Sequence, residues 1–286
     1  MKVLAIESSC DDTSISIVNG DKNIEFLETI NHRKFHKDHG GVIPEMAARQ
    51  HLEILDLLGQ SIKKINFSNI SAIAATFGPG LIGGLIVGSS FAKGLSISKN
   101  IKLIPINHLQ AHLLSPRLVS DIKFPYLCLL VSGGNTALVL VKSSNEFITL
   151  GSTIDDSAGE CFDKVAKGLG LGYPGGAALS KLAESGKPKY DLPKPMLHSK
   201  DFDFSFSGLK TAVLTLVKKQ PELTDTIKAN IAASFQESIT EVLIYKTLKA
   251  MNSLNLNQIV VSGGVGANKQ LREKLTKSSQ ENNFQL

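Results

Sequence analysis

The sequence predicts an α/β protein built from two related lobes, and three observations carry that expectation. Apolar, strand-like runs alternate with helix-like segments along all 286 residues. A strand, polar turn, strand pattern is written twice, as "LAIESSCDDTSISIV" near the start and "LCLLVSGGNTALVLV" in the middle. The length also exceeds one ordinary core and suits two domains, expected at 1–123 and 124–286.

In chain order, "VLAIESS" reads as a buried strand and "TSISIV" as a strand alternating with period two, so "CDD" between them is a hairpin tip bearing Asp11 and Asp12. A helix opens at Pro44, since proline suits the first helical turn. Next come a strand "SAIAAT", a glycine loop "FGPG", a helix through Lys99, a strand "KLIPI" and a short helix with two histidines. The second strand-turn-strand unit follows. Ser157 and Glu160 have capping-box spacing, and Pro174 precedes a helix that begins at a Gly-Gly pair. Long helices are expected from about Phe206 and Leu223, then a last strand "NQIVVSGG" and helix "ANKQLREKLTKSS". Two unrelated hairpins would give the same repeated pattern, so the duplication is an expectation for the fold to test.

Composition narrows the function classes. With 42% hydrophobic and 20% charged residues, this is the make-up of a soluble folded protein, expected in the cytoplasm. The apolar run "GLIGGLIVGSSFA" is too short for the roughly 20 residues that span a bilayer, so no membrane partner is expected. Cys10, Cys128 and Cys161 are widely spaced and include no CxxC pair, which argues against a disulfide framework or a zinc ribbon. A net charge of +5 is compatible with a polyanionic partner.

Glycine turns after strands let backbone N–H groups converge on an anion, and both Ser132-Gly133-Gly134 and Ser262-Gly263-Gly264 have that character. A tight turn requiring small residues is the competing reading. No GxxxxGK[ST] occurs, which excludes a P-loop, and "GVGANK" lacks the third glycine of a dinucleotide fingerprint. His108 and His112, in "INHLQAHLLSP", stand at i and i+4 on one helical face, where two imidazoles can reach one ion or serve a structural role. Leu109, Gln110 and Ala111 lie between them, without the glutamate that a zincin uses as general base. A second histidine group, His32, His36 and His39, is interleaved with Arg33, Lys34 and Lys37, which repel a cation and favour a solvated or anion-facing loop.

Taken together, "LAIESSCDDTS", "GGVIPEMAARQHL", "NHLQAH", "LLVSGGNTALV", "DDSAGECFDKVAKGLGLGYPGG", "FSFSGLKTAV" and "VSGGVGANKQLR" resemble the universal tRNA N6-adenosine threonylcarbamoyltransferase family, TsaD in bacteria. The motifs run in family order over nearly the whole chain.

The resemblance implies an actin, Hsp70 and sugar-kinase-like (ASKHA) two-lobed fold with a duplicated strand-turn-strand core. It implies transfer of a threonylcarbamoyl group from threonylcarbamoyl-AMP to N6 of the adenosine next to the anticodon in tRNAs reading ANN codons, with release of AMP. It also implies one divalent metal ion on His108 and His112, iron favoured and zinc the other candidate, and assembly with a TsaB-like paralogue and a TsaE-like ATPase. Leu130, Val131, Ser132, Gly133 and Gly134 match the substrate-holding loop, and Asp163, Gly176 and Asn268 match nucleotide-contacting positions. Asp11 is expected to deprotonate or orient the attacking amine, and Arg33, Lys34 and Lys37 to meet tRNA phosphates. The family's third metal ligand is an aspartate beyond "VSGGVGANKQLREKL" that these residues do not include, so a truncated chain with a weakened site is expected. An inactive truncated relative that binds nucleotide or a partner subunit, and a metal-dependent glycoprotein endopeptidase, are the alternatives.

Overall fold

Alternating burial along "KVLAIE" sends Leu4 and Ile6 into a core, and the strand they form, β1 (Lys2–Glu7), becomes the middle of a five-stranded sheet. The computed structural model describes residues 1–31, 41–62 and 65–286, which fall into two compact units, Met1–Ala111 and His112–Leu286. The division therefore lies inside a helix, twelve residues before the boundary expected after residue 123.

In the first unit β1 pairs antiparallel with β2 (Asp12–Asn19), which pairs antiparallel with β3 (Ile24–Asn31). On its other side β1 pairs parallel with β4 (Ala72–Gly78), and β4 with β5 (Leu103–Asn107), giving the order β3-β2-β1-β4-β5. Asp12 is the first residue of β2, so Asp11 alone of the acidic pair stays in the turn. Strand β3 was not expected from the sequence. It sits at the sheet edge with all of its residues half-buried or exposed, so its apolar alternation is weak.

Two helices cover this sheet. Helix α1 (Pro44–Ile62) turns Ile54, Leu55, Leu58 and Ile62 inward, onto the cluster that holds Leu4, Ile6, Ile15 and Ile17. Helix α2 (Ile82–Lys99) comes so close to the turn after β1 that a Cβ on Gly84 would strike the Ser8 carbonyl and the His51 ring. Ser8 Oγ also donates to the Gly84 carbonyl at 2.9 Å. The glycines of "GLIGGLIVG" thus serve helix packing, and among the described residues no helix is long and apolar enough to cross a membrane.

The second unit repeats the plan. Strand β6 (Tyr126–Val131) pairs antiparallel with β7 (Thr136–Val141), which pairs with β8 (Phe147–Ser152), while β9 (Ile259–Ser262) adds parallel to β6. The order β8-β7-β6-β9 matches β3-β2-β1-β4, so the expected duplication is a duplicated topology. Every residue of β6 is buried, as for a strand covered on both faces.

The helices here are α3 (His108–Leu114), α4 (Ala158–Gly168), α5 (Gly176–Ala183), α6 (Ser207–Lys219), α7 (Asp225–Leu254) and α8 (Lys269–Asn282). Helix α3 begins in the first unit and ends in this one. Ser157 caps α4 by accepting from the Glu160 amide at 3.1 Å, as its spacing predicts. The Glu160 carboxylate turns instead to Lys164, 2.7 Å away, so half of the capping box forms. Helix α7 is buried around most of its circumference, with Phe235, Ile239, Val242 and Leu243 at the heart of the core. Cys128 and Cys161 are buried free thiols, and Cys10 is an exposed one.

The Gly84 contact predicts a paired stability result. Gly84→Ala should lower unfolding stability in urea by about 1–3 kcal/mol through overpacking. Gly94→Ala, on the same helix with nothing within 4 Å of an added Cβ, should raise it by about 0.5–1 kcal/mol. Equal stability of the Gly84→Ala and parent proteins would contradict the packing described.

Candidate active site

In the first unit the parallel strands β1, β4 and β5 end side by side, and polar groups gather at those ends. Glu7 closes β1. Its Oε1 accepts from the Ser9 amide at 2.6 Å, and its Oε2 accepts from the Thr76 hydroxyl on β4 and lies 3.2 Å from Nδ1 of His108. Ser9 Oγ approaches the same nitrogen at 3.0 Å. Burial pushes the Glu7 carboxyl up, but the hydrogen bonds from His108, Ser9 and Thr76 outweigh it and lower the pKa to about 2.

His108 follows β5 directly and starts α3, whose first amides are capped by Asn107: its Oδ1 accepts from Leu109 and Gln110 at 2.9 and 3.1 Å. His112 stands one turn later on the same helix. Within the second unit, Ser262 Oγ donates to the His112 carbonyl at 2.8 Å and the Tyr126 hydroxyl to the Leu113 carbonyl at 2.8 Å, which holds the end of the helix. Among the described residues no group of three or more His, Cys, Asp and Glu side chains is gathered as a metal-binding set.

Asp11 lies in the β1–β2 turn. The neighbouring carbonyl of Cys10 is held by Nε2 of the buried His51 at 3.1 Å, whose Nδ1 meets Thr13 Oγ1 at 2.8 Å. His51 belongs to the motif "ARQHL" but carried no assignment in the sequence. Its zero exposure and its two polar contacts mark it as the residue that fixes this turn.

In the second unit Leu130 and Val131 are core residues of β6, so only their backbone can face a ligand. The turn of residues 132–135 is closed by the Ser132 amide on the Asn135 carbonyl at 2.8 Å, and by Ser132 Oγ, which accepts from the Asn135 amide at 3.0 Å. Added Cβ atoms on Gly133 and Gly134 would meet nothing within 4 Å, whereas one on Gly159 would lie 2.5 Å from the Ser132 carbonyl. The start of α4 is therefore pressed onto the turn, while its glycines front open space. Gly263 has φ +97° and packs against Val131, bringing the second Ser-Gly-Gly turn beside the first.

Asp163 Oδ1 accepts from the amides of Gly175 and Gly176, both at 2.9 Å, and thereby fixes the start of α5. Asn268 caps α8 through Oδ1 on the Leu271 amide at 2.9 Å, and its Nδ2 donates to Ser180 Oγ and Gln236 Oε1 at 2.9 and 2.7 Å. Helix α5 links the two, with Gly176 as its first residue and Ser180 one turn later. Both residues thus organise the frame around the expected nucleotide positions, and the Asn268 amide is spent on protein partners.

Two aspartates of "DDSAGECFDK" had no assigned role. Asp155 accepts from Ser205 and Ser207 hydroxyls, each at 2.6 Å, and caps the start of α6; Asp156 pairs with Lys210 at 2.5 Å and Lys164 at 3.0 Å. In both, burial pushes the carboxyl up and the bonds from these partners outweigh it, leaving the pKa lowered. Adjacent acids followed by "SAGE", and serines flanking a helix start in "FSFSG", are the signals that could have found them. The residues Arg33, Lys34, Lys37, His32, His36 and His39 lie outside the described residues.

Comparison with known proteins bears on what this arrangement is. The chain is similar to a tRNA N6-adenosine threonylcarbamoyltransferase of Herminiimonas arsenicoxydans, 48% identical over all of this chain and 85% of the relative, and to one of Rickettsia bellii, 50% identical over all of this chain and 86% of the relative. Among solved structures it is similar to HypF of T. kodakarensis, with TM-score 0.69, 13% identity, and 99% of this chain and 44% of that chain covered. It is also similar to component A of the (R)-2-hydroxyglutaryl-CoA dehydratase of Acidaminococcus fermentans, with TM-score 0.56, 14% identity, and 97% and 88% covered. These structural likenesses concern the fold, and they bear out the actin, Hsp70 and sugar-kinase type expected from the sequence. The family model for TsaD, tRNA N6-adenosine threonylcarbamoyltransferase, matches residues 24–286, and with full-length identities near one half the chain belongs to that family.

Proposed function

We propose that the chain transfers a threonylcarbamoyl group from threonylcarbamoyl-AMP to N6 of the adenosine next to the anticodon in tRNAs reading ANN codons, releasing AMP. The observation that carries this reading is the kinship, over the whole chain, with transferases of that name. The endopeptidase alternative gains no support, since the turn of α3 between the histidines offers only Leu109, Gln110 and Ala111.

In the reaction, the N6 amine attacks the carbamoyl carbon, the bond from that carbon to the phosphate oxygen breaks, and AMP leaves with the electron pair. Asp11 is proposed to take the N6 proton, in a turn that His51 holds through the Cys10 carbonyl. The amides around Gly133 and Gly134 would meet the anionic side of the donor, where no side chain intrudes. Asp163, through the start of α5, and Asn268, through Ser180, would shape the nucleotide pocket.

We propose a divalent ion on His108 and His112, iron favoured and zinc the other candidate, although among the described residues no group of three or more His, Cys, Asp and Glu side chains is gathered to hold one. His108 and His112 share one helical face, and His108 has its Nδ1 bonded to a carboxylate, as ligating histidines usually do. When bound, the ion would supply Lewis-acid polarisation and neutralise charge on the donor. The net charge of +5 suits tRNA, with Arg33, Lys34 and Lys37 proposed as phosphate contacts. A TsaB-like paralogue and a TsaE-like ATPase are the proposed assembly partners, and the cytoplasm the proposed compartment.

The reading predicts tRNA-dependent incorporation of labelled threonine when the chain is combined with its partner proteins, ATP, bicarbonate and the enzyme that makes the donor. Incorporation should vanish on a tRNA lacking the target adenosine, and its absence with intact tRNA and every component present would contradict the proposal. Asp11→Asn should slow transfer by about 10²–10⁴-fold with unchanged folding. For the ion, His108→Ala and His112→Ala should each weaken Zn2+ or Fe2+ binding, measured by competition with a chromophoric chelator, and unaltered affinity in both would overturn the metal assignment.

A further inference from the structure

Three hydrogen bonds fasten the start of α4 to the turn of residues 132–135. The Ser157 hydroxyl donates to the Gly133 carbonyl at 2.6 Å, the Ala158 amide to Thr136 Oγ1 at 2.8 Å, and the Gly159 amide to the Ser132 carbonyl at 3.2 Å. Inside the turn the Ser132 amide is taken by the Asn135 carbonyl and the Asn135 amide by Ser132 Oγ. Among the described residues, the amides of the exposed Gly133 and Gly134 are left without a hydrogen-bond partner.

We infer that Ser157 is a positioning residue, whose hydroxyl locks the Gly133–Gly134 peptide so that the Gly134 N–H faces away from α4 and is presented to the phosphate of the donor. The inference rests on the reading of this turn as the place where the anionic side of the donor binds.

The physical basis is the planar peptide. Carbonyl and N–H of one trans peptide point in opposite directions, so a group that holds the Gly133 oxygen also sets where the Gly134 hydrogen points. This peptide needs holding, since with glycine on either side it can rotate at little steric cost. Once rotated, it would show an anion its carbonyl oxygen instead of its N–H. Ser157 suits the task because a hydroxyl has one hydrogen to give and a carbonyl can only accept. Its oxygen takes the Glu160 amide at 3.1 Å, and at 2% exposure the residue is shut off from competing water. The cap of α4 thus also orients the turn.

The two roles can be separated. Glycine at an N-cap keeps most of the cap's benefit and alanine does not, so Ser157→Gly removes the hydroxyl with α4 largely intact, whereas Ser157→Ala removes hydroxyl and cap together. Thr224→Ala removes a cap elsewhere in the same unit, where Thr224 Oγ1 accepts from the Ile227 amide at 3.4 Å at the start of α7.

The test is calorimetric titration of the parent and these three variants with AMP and with adenosine, which lacks the phosphate. The parent should bind AMP more tightly than adenosine. Ser157→Gly and Ser157→Ala should each weaken AMP binding by about 10–100-fold, as for the loss of a hydrogen bond to a charged group, and leave adenosine binding unchanged. Thr224→Ala should alter neither. Equal losses for the two ligands, an AMP preference lost in Thr224→Ala as well, or unchanged AMP affinity in the Ser157 variants would each overturn the inference. A parent that binds AMP no more tightly than adenosine would remove the anion reading of the turn, and the Ser157 role with it.

Discussion

One carboxylate ties together the ends of the first sheet. Glu7 receives the amide of the turn after β1, the hydroxyl of Thr76 on β4 and the ring of the histidine that follows β5. The Ser9 amide and the Thr76 hydroxyl would otherwise be buried donors short of this acceptor, at about 1–3 kcal/mol apiece. The three parallel strands therefore stop at a common level, and α3 leaves from a fixed point. Carboxyl ends of parallel strands are where α/β sheets present ligand sites.

The second unit furnishes the same place in its sheet differently. The parallel strands β6 and β9 both end in Ser-Gly-Gly, and the close approach of Gly263 to Val131 and of Gly159 to Ser132 leaves no room for side chains between the backbones. What remains open is the front of Gly133 and Gly134. A duplicated topology has thus been furnished with imidazole and carboxylate in one copy and with bare backbone amides in the other.

Much of this was legible in the residues. Period-two alternation marked β2 and β7, proline marked the start of α1, and Ser157 marked the cap of α4 because a cap is a local interaction between near neighbours. Glu7 was not legible as a site residue, since a single acid closing an apolar strand looks like any strand end, and its partners are 69 and 101 positions away in sequence. Asp163 and Asn268 were legible as motif positions, but their hydrogen bonds to Gly175, Gly176, Ser180 and Gln236 follow from how helices pack. Strand β3 was missed because an edge strand buries too little to enforce a strong pattern.

The account turns on the Glu7 carboxylate as the tie between the ends of β1 and β4. Urea unfolding of Glu7→Ala beside the parent protein reads this directly. The account predicts a loss of about 1–3 kcal/mol for each buried donor left without its acceptor. Equal stability of the two proteins would contradict it.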